Sequence, residues 1–124
     1  MKLEELTLKE RIGQMFMVGM PGTEIDDITR ELITKYKVGG IILYRKNILS
    51  LEHFVHLLNS LRELNKGNKV PLIIGIDQEG GRVNRMPSKI NNLANAKLIA
   101  NVGGPDLCYK SGKVLGEMLK EFNI

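Results

Sequence analysis

The sequence is poor in residues that crosslink a protein or stack on nucleic-acid bases. Its 124 residues include one cysteine, no tryptophan and only 5% aromatic residues. One cysteine excludes an internal disulfide and a cysteine-rich zinc site, and we expect Cys108 to be a small residue on a helix face. The net charge is +4, but basic residues are interspersed with acidic ones. The missing basic stripe with aromatics argues against nucleic acid as a partner.

Long apolar runs are also absent. None approaches the roughly 20 residues that a membrane-spanning helix needs. The first ten residues are charged and helix-forming, without the apolar core of a signal peptide, so we expect a cytoplasmic location for the chain as given. Fractions of 43% hydrophobic and 26% charged residues are typical of one globular domain.

Three apolar segments are predicted to be β-strands, at residues 14–19, 40–44 and 70–76. Each is continuously apolar instead of alternating with polar residues. This pattern is typical of strands that are buried on both faces of a parallel sheet.

Helical patterns alternate with the predicted strands. Residues 3–12 predict a short leading helix, and residues 23–37 place their apolar side chains on one helix face. A further helix is predicted to start after Ser50 as N-cap and to end near Lys66. The last begins at about Pro105.

This order predicts the α/β class with a parallel sheet, as in a doubly wound fold or a TIM-type (β/α)8 barrel. The strands start near residues 14, 40 and 70, and a barrel of about 250 residues has a similar repeat of about 31 residues. We therefore predict a leading helix plus the first three βα units of a TIM-type barrel. Three units cannot close a barrel, so we expect an incomplete barrel with an open sheet edge in a truncated chain.

The third strand ends in an acidic and glycine-rich motif, Asp77 to Arg85, at the edge where parallel strands bind ligands. On an extended chain, Asp77 and Glu79 would lie about 6.6 Å apart, the spacing of an inverting glycosidase pair. Gly80 and Gly81 permit a sharp turn with positive φ or a close backbone approach. Neither glycine-rich phosphate-binding pattern is present.

The two arginines of this motif leave alternatives open. Arg82 and Arg85 either hold a ligand hydroxyl or carboxylate, or pair with Asp77 or Glu79 and stabilise the loop. The segment that follows, residues 86–104, is long for a βα connection. It is either part of an active-site face or an inserted short helix without a role.

The motif resembles a known signature. Ile76-Asp-Gln-Glu-Gly-Gly-Arg-Val-Asn-Arg85 is similar to that of glycoside hydrolase family 3, in its branch of single-domain β-N-acetylglucosaminidases (β-hexosaminidases) that act on peptidoglycan fragments. Residues 6–19 and 39–48 resemble two further segments of that family, in the same order. By this resemblance, residues 1–124 are the N-terminal fragment of a family 3 barrel domain.

The resemblance implies a function and roles for the motif residues. Family members release terminal β-linked N-acetylhexosamine from peptidoglycan- or chitin-derived glycosides with retention, which implies a carbohydrate partner. Asp77 would bind hydroxyls of the sugar in the −1 subsite, and Arg85 would also contact substrate. The loop would be shaped and braced by Glu79, Gly80, Gly81 and Arg82. Where relatives usually have glutamine, this chain has Asn84.

The family's catalytic groups are not found in these residues. Relatives use a later aspartate as nucleophile and a histidine in a Lys-His-Phe-Pro-Gly-His type loop, and neither segment occurs here. No catalytic residue is therefore assigned, and we expect the 124-residue chain alone to be inactive. We expect His53 and His56 to be solvated helix residues, and the resemblance implies neither a metal nor a cofactor.

Other functions stay open at this point. A truncated, non-catalytic module that binds sugars or forms a homo-oligomer through the open sheet edge is the main alternative. A small phosphate-binding domain is disfavoured because the phosphate loop is missing. Full-length relatives work in the cytoplasm or at the cell surface, so the resemblance does not decide the location.

Overall fold

Helices alternate with strands along the chain. The computed structural model describes residues 3–124. After a 3₁₀ turn, Leu3–Glu5, the elements are α1 (Leu8–Gln14), β1 (Met17–Gly19), α2 (Asp27–Thr34), β2 (Gly40–Leu43), a second 3₁₀ turn (Arg45–Asn47), α3 (Leu51–Asn65), β3 (Ile73–Ile76) and α4 (Ala96–Glu121).

The strands form one parallel sheet in the order β1-β2-β3. Met17 lies opposite Gly40, and Gly40 lies opposite Ile73. All three strands run in the same direction, so their carboxyl ends share one edge of the sheet. The predicted α/β class with a parallel sheet is confirmed, and the arrangement is consistent with part of a TIM-type barrel.

Side-chain caps determine where the helices begin. Thr7 and Glu10 form a capping box before α1, and Ser50 caps α3 as the sequence predicts. The prediction for α2 was wrong at its start. Asp26 accepts a hydrogen bond from the Thr29 amide, which fixes the first helical residue at Asp27 instead of residue 23.

The last helix was predicted to start at about Pro105, which is where its second segment begins. A first segment precedes it, in line with the inserted short helix that the sequence left open: Asn95 accepts a hydrogen bond from the Leu98 amide, so α4 begins at Ala96. Gly104, at φ 57° and ψ −154°, interrupts it, and Pro105 begins the second segment. Neither α4 nor any other helix within residues 3–124 is long and apolar enough to cross a membrane.

The hydrophobic core lies between one face of the sheet and the helices. Ile41, Leu43 and Ile74 are almost fully buried on this face. They pack in one cluster with side chains of α2 and α3, including Ile33, Phe54, Leu57, Leu58 and Leu61. The rings of Phe54 and Phe122 lie 5.1 Å apart, which brings the end of α4 against α3.

The other face of the sheet is open. Met17 is 47% exposed and Ile73 is 63% exposed, so the prediction that the strands are buried on both faces was wrong. Side chains alternate between the faces of a strand, and only the α2 and α3 side of these three strands carries packed helices. Strand bounds also differ from prediction, because Gln14 is the last residue of α1, and its side-chain Nε2 donates to the Lys37 carbonyl, 2.7 Å away.

Candidate functional site

Asp77 lies directly after β3, at the carboxyl edge of the sheet, and its side chain is exposed. The Gln78 amide donates to the Ile76 carbonyl, 3.1 Å away, so the chain turns at Asp77. The extended backbone that would place Asp77 and Glu79 at the inverting-pair spacing therefore ends here. Local geometry gives no support to that pair.

The glycine pair forms the tip of the motif. Gly80 has φ 87° and Gly81 has φ 58°, the positive values that the sequence predicts. A Cβ on Gly80 would lie 2.5 Å from the Ala94 carbonyl oxygen, and the Gly81 amide donates to the Leu93 carbonyl at 2.7 Å. Only residues without a side chain can bring the motif this close to residues 93–95.

Glu79 and Arg82 are both exposed. Within residues 3–124, neither side chain makes a hydrogen bond or an ion pair. Glu79 lines a small cavity of about 170 Å³ together with Cys108 and Ser111 of α4. Cys108 is exposed on this helix. The bracing role of Glu79 and Arg82 stays a prediction.

Arg85 closes the motif and is partly buried. Its backbone amide donates to Gln78 Oε1 at 2.7 Å. Its side-chain Nε is buried and has no hydrogen-bond partner among the described residues. A buried donor without a partner is uncommon in folded proteins and calls for an explanation.

Gln78 is a site residue that sequence reasoning missed. Only 8% of it is exposed, and its Oε1 accepts hydrogen bonds from the amides of Arg85 and Met86 at 2.7 and 3.3 Å. Its Nε2 donates to Asn84 Oδ1 at 2.9 Å. The available signal was an uncharged amide, with a donor and an acceptor, between two acids at the end of a strand.

Asn47 ties the ends of β1 and β2 together and was also missed. It is fully buried. Its Oδ1 accepts from the Tyr44 amide at 2.8 Å, and its Nδ2 donates to the Met20 carbonyl at 3.2 Å. The Tyr44 ring lies close to Gly19, where a Cβ would be 3.2 Å from the ring.

The first turn of α3 anchors the loops on either side of it. Glu52 pairs with Lys89 of the loop after β3, and this hydrogen bond is the main cause that lowers the pKa of Glu52 to about 2. His53 Nε2 lies 3.5 Å from Oε1 of Glu24 in the loop after β1. His53 Nε2 makes no hydrogen bond within residues 3–124, so the loop after β1 only approaches α3, whereas the loop after β3 is paired with it.

The two histidines of α3, His53 and His56, differ in their exposure. His56 is exposed, but the His53 side chain is only 13% exposed and its Nδ1 accepts from the Leu49 amide. The expectation that His53 is solvated was wrong, because the Glu24 loop covers it. No group of three or more His, Cys, Asp or Glu side chains in the described part of the chain is arranged to hold a metal ion.

A larger apolar cavity lies away from the motif. It has a volume of about 560 Å³ and lies between α1, β1 and α2. Leu8, Ile12, Phe16, Val18 and Leu32 line it, and no motif residue does. Phe16 and Val38, which also line it, precede β1 and β2. The cavity is therefore at the amino end of the sheet, opposite Asp77.

A family model and several known proteins match the chain. The model described as "Glycosyl hydrolase family 3 N terminal domain" matches residues 7–124. A beta-hexosaminidase of Alkalilimnicola ehrlichii is 35% identical over 86 residues, 69% of this chain and 24% of that protein. One of Idiomarina loihiensis is 28% identical over 103 residues, 83% of this chain and 30% of that protein.

Solved structures give the same result. A glycoside hydrolase family 3 beta-N-acetylglucosaminidase from a Paenibacillus species superposes with a TM-score of 0.88 at 35% identity, over 96% of this chain and 23% of that chain. NagZ from Neisseria gonorrhoeae, solved with N-trifluoroacetyl-D-glucosamine, gives 0.70 at 25% identity, over 87% of this chain and 32% of that chain. The chain thus spans about a quarter to a third of these proteins.

Proposed function

The chain belongs to glycosyl hydrolase family 3, and from this we propose that it supplies part of the −1 sugar subsite of a retaining β-N-acetylhexosaminidase. Its substrates would be glycosides with a terminal β-linked N-acetylhexosamine, derived from peptidoglycan or chitin. The names of the relatives, beta-hexosaminidase and beta-N-acetylglucosaminidase, support this substrate class.

The proposal rests on where the structure places two charged residues of the motif, Asp77 and Arg85. Asp77 is exposed at the end of β3, and the loop turns back so that the Arg85 amide contacts the side chain of Gln78, the residue after Asp77. A carboxylate accepts hydrogen bonds and a guanidinium donates them. Sugar hydroxyls do both, so the two side chains suit recognition of a hexose.

Binding and catalysis are separable in this proposal. The 124 residues contain no Lys-His-Phe-Pro-Gly-His type loop, so we assign no nucleophile and no acid/base to them. We expect the chain alone to bind sugar weakly and to have no turnover. The catalytic groups would lie outside these residues.

A titration of N-acetylglucosamine into the ¹⁵N-labelled chain tests the binding half. We expect shifts of backbone amide signals at residues 77–86, and loss of those shifts in Asp77→Ala. Asp27→Ala is the matched control, because Asp27 is an exposed aspartate on α2. Equal shifts in both variants, or none in the unaltered chain, would count against the proposal. Cleavage of an aryl β-N-acetylglucosaminide by the unaltered chain would contradict the assignment of no catalytic residue.

Self-association is a second candidate, favoured by the open face of the sheet. Met17 and Ile73 are 47% and 63% exposed there. The outer edges of β1 and β3 have no paired strand within residues 3–124. Sedimentation velocity distinguishes a monomer from a dimer. A stable dimer would support self-association, and a monomer at all concentrations would exclude it.

A further inference from the structure

Gln78 joins the end of β3 to the end of the motif. One oxygen, Oε1, accepts two hydrogen bonds, from the backbone amides of Arg85 and Met86. Gln78 follows β3 by two residues, so the strand end fixes the position of its side chain. The backbone of Arg85 is thereby held at hydrogen-bond distance from a side chain of the rigid sheet edge.

The other half of the Gln78 amide is also occupied. Nε2 donates to Asn84 Oδ1, and the same oxygen accepts from the Met86 amide at 3.2 Å. Both ends of the Gln78 side chain therefore have partners, which leaves it one orientation. The contact of Asn84 with the amide two residues later is an Asx-type turn, which a longer side chain at that position closes less readily.

Met86 connects this network to the core. Its side chain is 2% exposed and packs in the same cluster as Ile41 and Phe54. Arg85 therefore has a neighbour anchored in the core on one side and a backbone amide bonded to Gln78. Its backbone is constrained although it lies in a loop.

The side chain of Arg85, in contrast to its backbone, has no hydrogen-bond partner in this part of the chain. Its Nε is buried and has no partner among residues 3–124. The Arg85 side chain is only partly buried, and none of its nitrogens makes a hydrogen bond within residues 3–124. Its exposed part can therefore donate to an acceptor on a ligand while its backbone stays fixed. We propose that Gln78 is a positioning residue that sets Arg85 for contact with the sugar. This deepens the proposed function and rests on it.

The test compares three variants of the full 124-residue chain. Gln78→Ala removes the shared acceptor. Gln78→Glu keeps an oxygen that can accept from both amides but removes the Nε2 donor to Asn84 Oδ1. Gln14→Ala is the matched control. Gln14 is the other glutamine of the chain, and its Nε2 donates to the Lys37 carbonyl before β2, away from the motif. Amide hydrogen exchange by NMR reports the backbone, and a titration with N-acetylglucosamine reports binding.

In Gln78→Ala we expect the amides of Arg85 and Met86 to exchange about tenfold faster and the sugar affinity to fall by about tenfold. Exchange at Ile41 and Ile42 in the sheet should not change, which shows that the variant is folded. Gln78→Glu should recover both values only in part, because it keeps an acceptor for the two amides but loses the Nε2 donor to Asn84 Oδ1 and buries a charge. Gln14→Ala should leave both as in the unaltered chain.

Two results would overturn the inference alone. One is unchanged exchange at Arg85 and Met86 in Gln78→Ala, and the other is unchanged sugar affinity despite faster exchange. A global rise of exchange in Gln78→Ala that Gln78→Glu does not reverse also counts against it, since it indicates a purely structural role. Absence of binding by the unaltered chain overturns the proposed function, and the inference falls with it.

Discussion

The substitution Gly80→Ala tests how the motif loop is held. Gly80 has φ 87°, and an added Cβ would lie 2.5 Å from the Ala94 carbonyl oxygen and 2.9 Å from that of Leu93. Both neighbours are backbone atoms, so no side-chain rotation relieves the contact. The loop segment that contains them must move for alanine to fit.

The loss in free energy of unfolding that we expect for Gly80→Ala has two parts. A positive φ costs an L-residue about 1–2 kcal/mol. Forcing a methyl group into a filled space costs about 1–3 kcal/mol more. Together they lower the free energy of unfolding by about 2–5 kcal/mol, a large share of the roughly 5–15 kcal/mol that holds a domain together.

Urea denaturation followed by circular dichroism measures this cost, and two glycine controls separate its parts. Gly104→Ala meets nothing within 4 Å, so it should lose only a conformational part, but a large one, because φ 57° with ψ −154° is a combination almost confined to glycine. Gly116→Ala lies in α4 with open space around it, and should raise stability by about 0.5–1 kcal/mol.

The size of the loss in Gly80→Ala decides the outcome. If Gly80→Ala lowers the free energy of unfolding by no more than the conformational part of about 1–2 kcal/mol, the contact with Ala94 and Leu93 contributes nothing. The reasoning about close approach would then be refuted. Exchange at the Gly81 amide, which donates to Leu93, checks the same point locally, and it should accelerate only in Gly80→Ala.

Two further predictions concern the core and the loop anchor. Phe54→Ala should lower the free energy of unfolding in urea by about 3–5 kcal/mol, because the ring is fully buried; the exposed neighbour Val55, changed to alanine, should cost under about 1 kcal/mol. The pKa of Glu52 is lowered from 4.5 to about 2 by Lys89, so its contribution is present above pH 4.5 and is lost as the pH falls towards 2. Amide exchange at Ile90 should therefore be faster in Glu52→Gln than in the unaltered chain at pH 6, and the difference should become small as the pH approaches 2.

Each of these two predictions can be contradicted by a specific result. Equal unfolding energies for Phe54→Ala and Val55→Ala would show that α3 does not carry the core. A constant difference between Glu52→Gln and the unaltered chain from pH 6 to pH 2 would show that the carboxylate charge does not hold the loop.

The sequence predicts the elements of this fold better than their ends. The βα order and α3 follow from apolar spacing and the Ser50 cap, both of which are local signals. The start of α2 and that of the first segment of α4 depend on which polar residue acts as cap. Asp26 and Asn95 do so through hydrogen bonds that apolar spacing does not reveal. The start of the second segment at Pro105 agrees with the prediction. The open sheet face is a tertiary property that strand composition cannot show.

The candidate site also has features that the sequence predicts and features that it does not. Asp77 at the end of β3 and the positive φ of Gly80 and Gly81 follow from local rules. Gln78 was missed because its partners are backbone amides that approach it only after the chain has turned through the glycines. A residue whose role depends on a turn cannot be assigned before the turn is known.

The two sugar contacts that we propose therefore depend on different parts of the molecule. Asp77 is carried by a strand whose stability comes from the core around Phe54. Arg85 is carried by a loop whose order comes from Gln78, the glycine contacts and the Lys89 pair with Glu52. Phe54→Ala should then mainly lower the free energy of unfolding, and should lower the affinity of the folded fraction only through the Met86 anchor of the loop in the same cluster. Gln78→Ala should lower the affinity more than Phe54→Ala does, and the free energy of unfolding less, because it removes hydrogen bonds of the loop and not a core side chain. Measuring both quantities in both variants shows how far the order of the loop depends on the core.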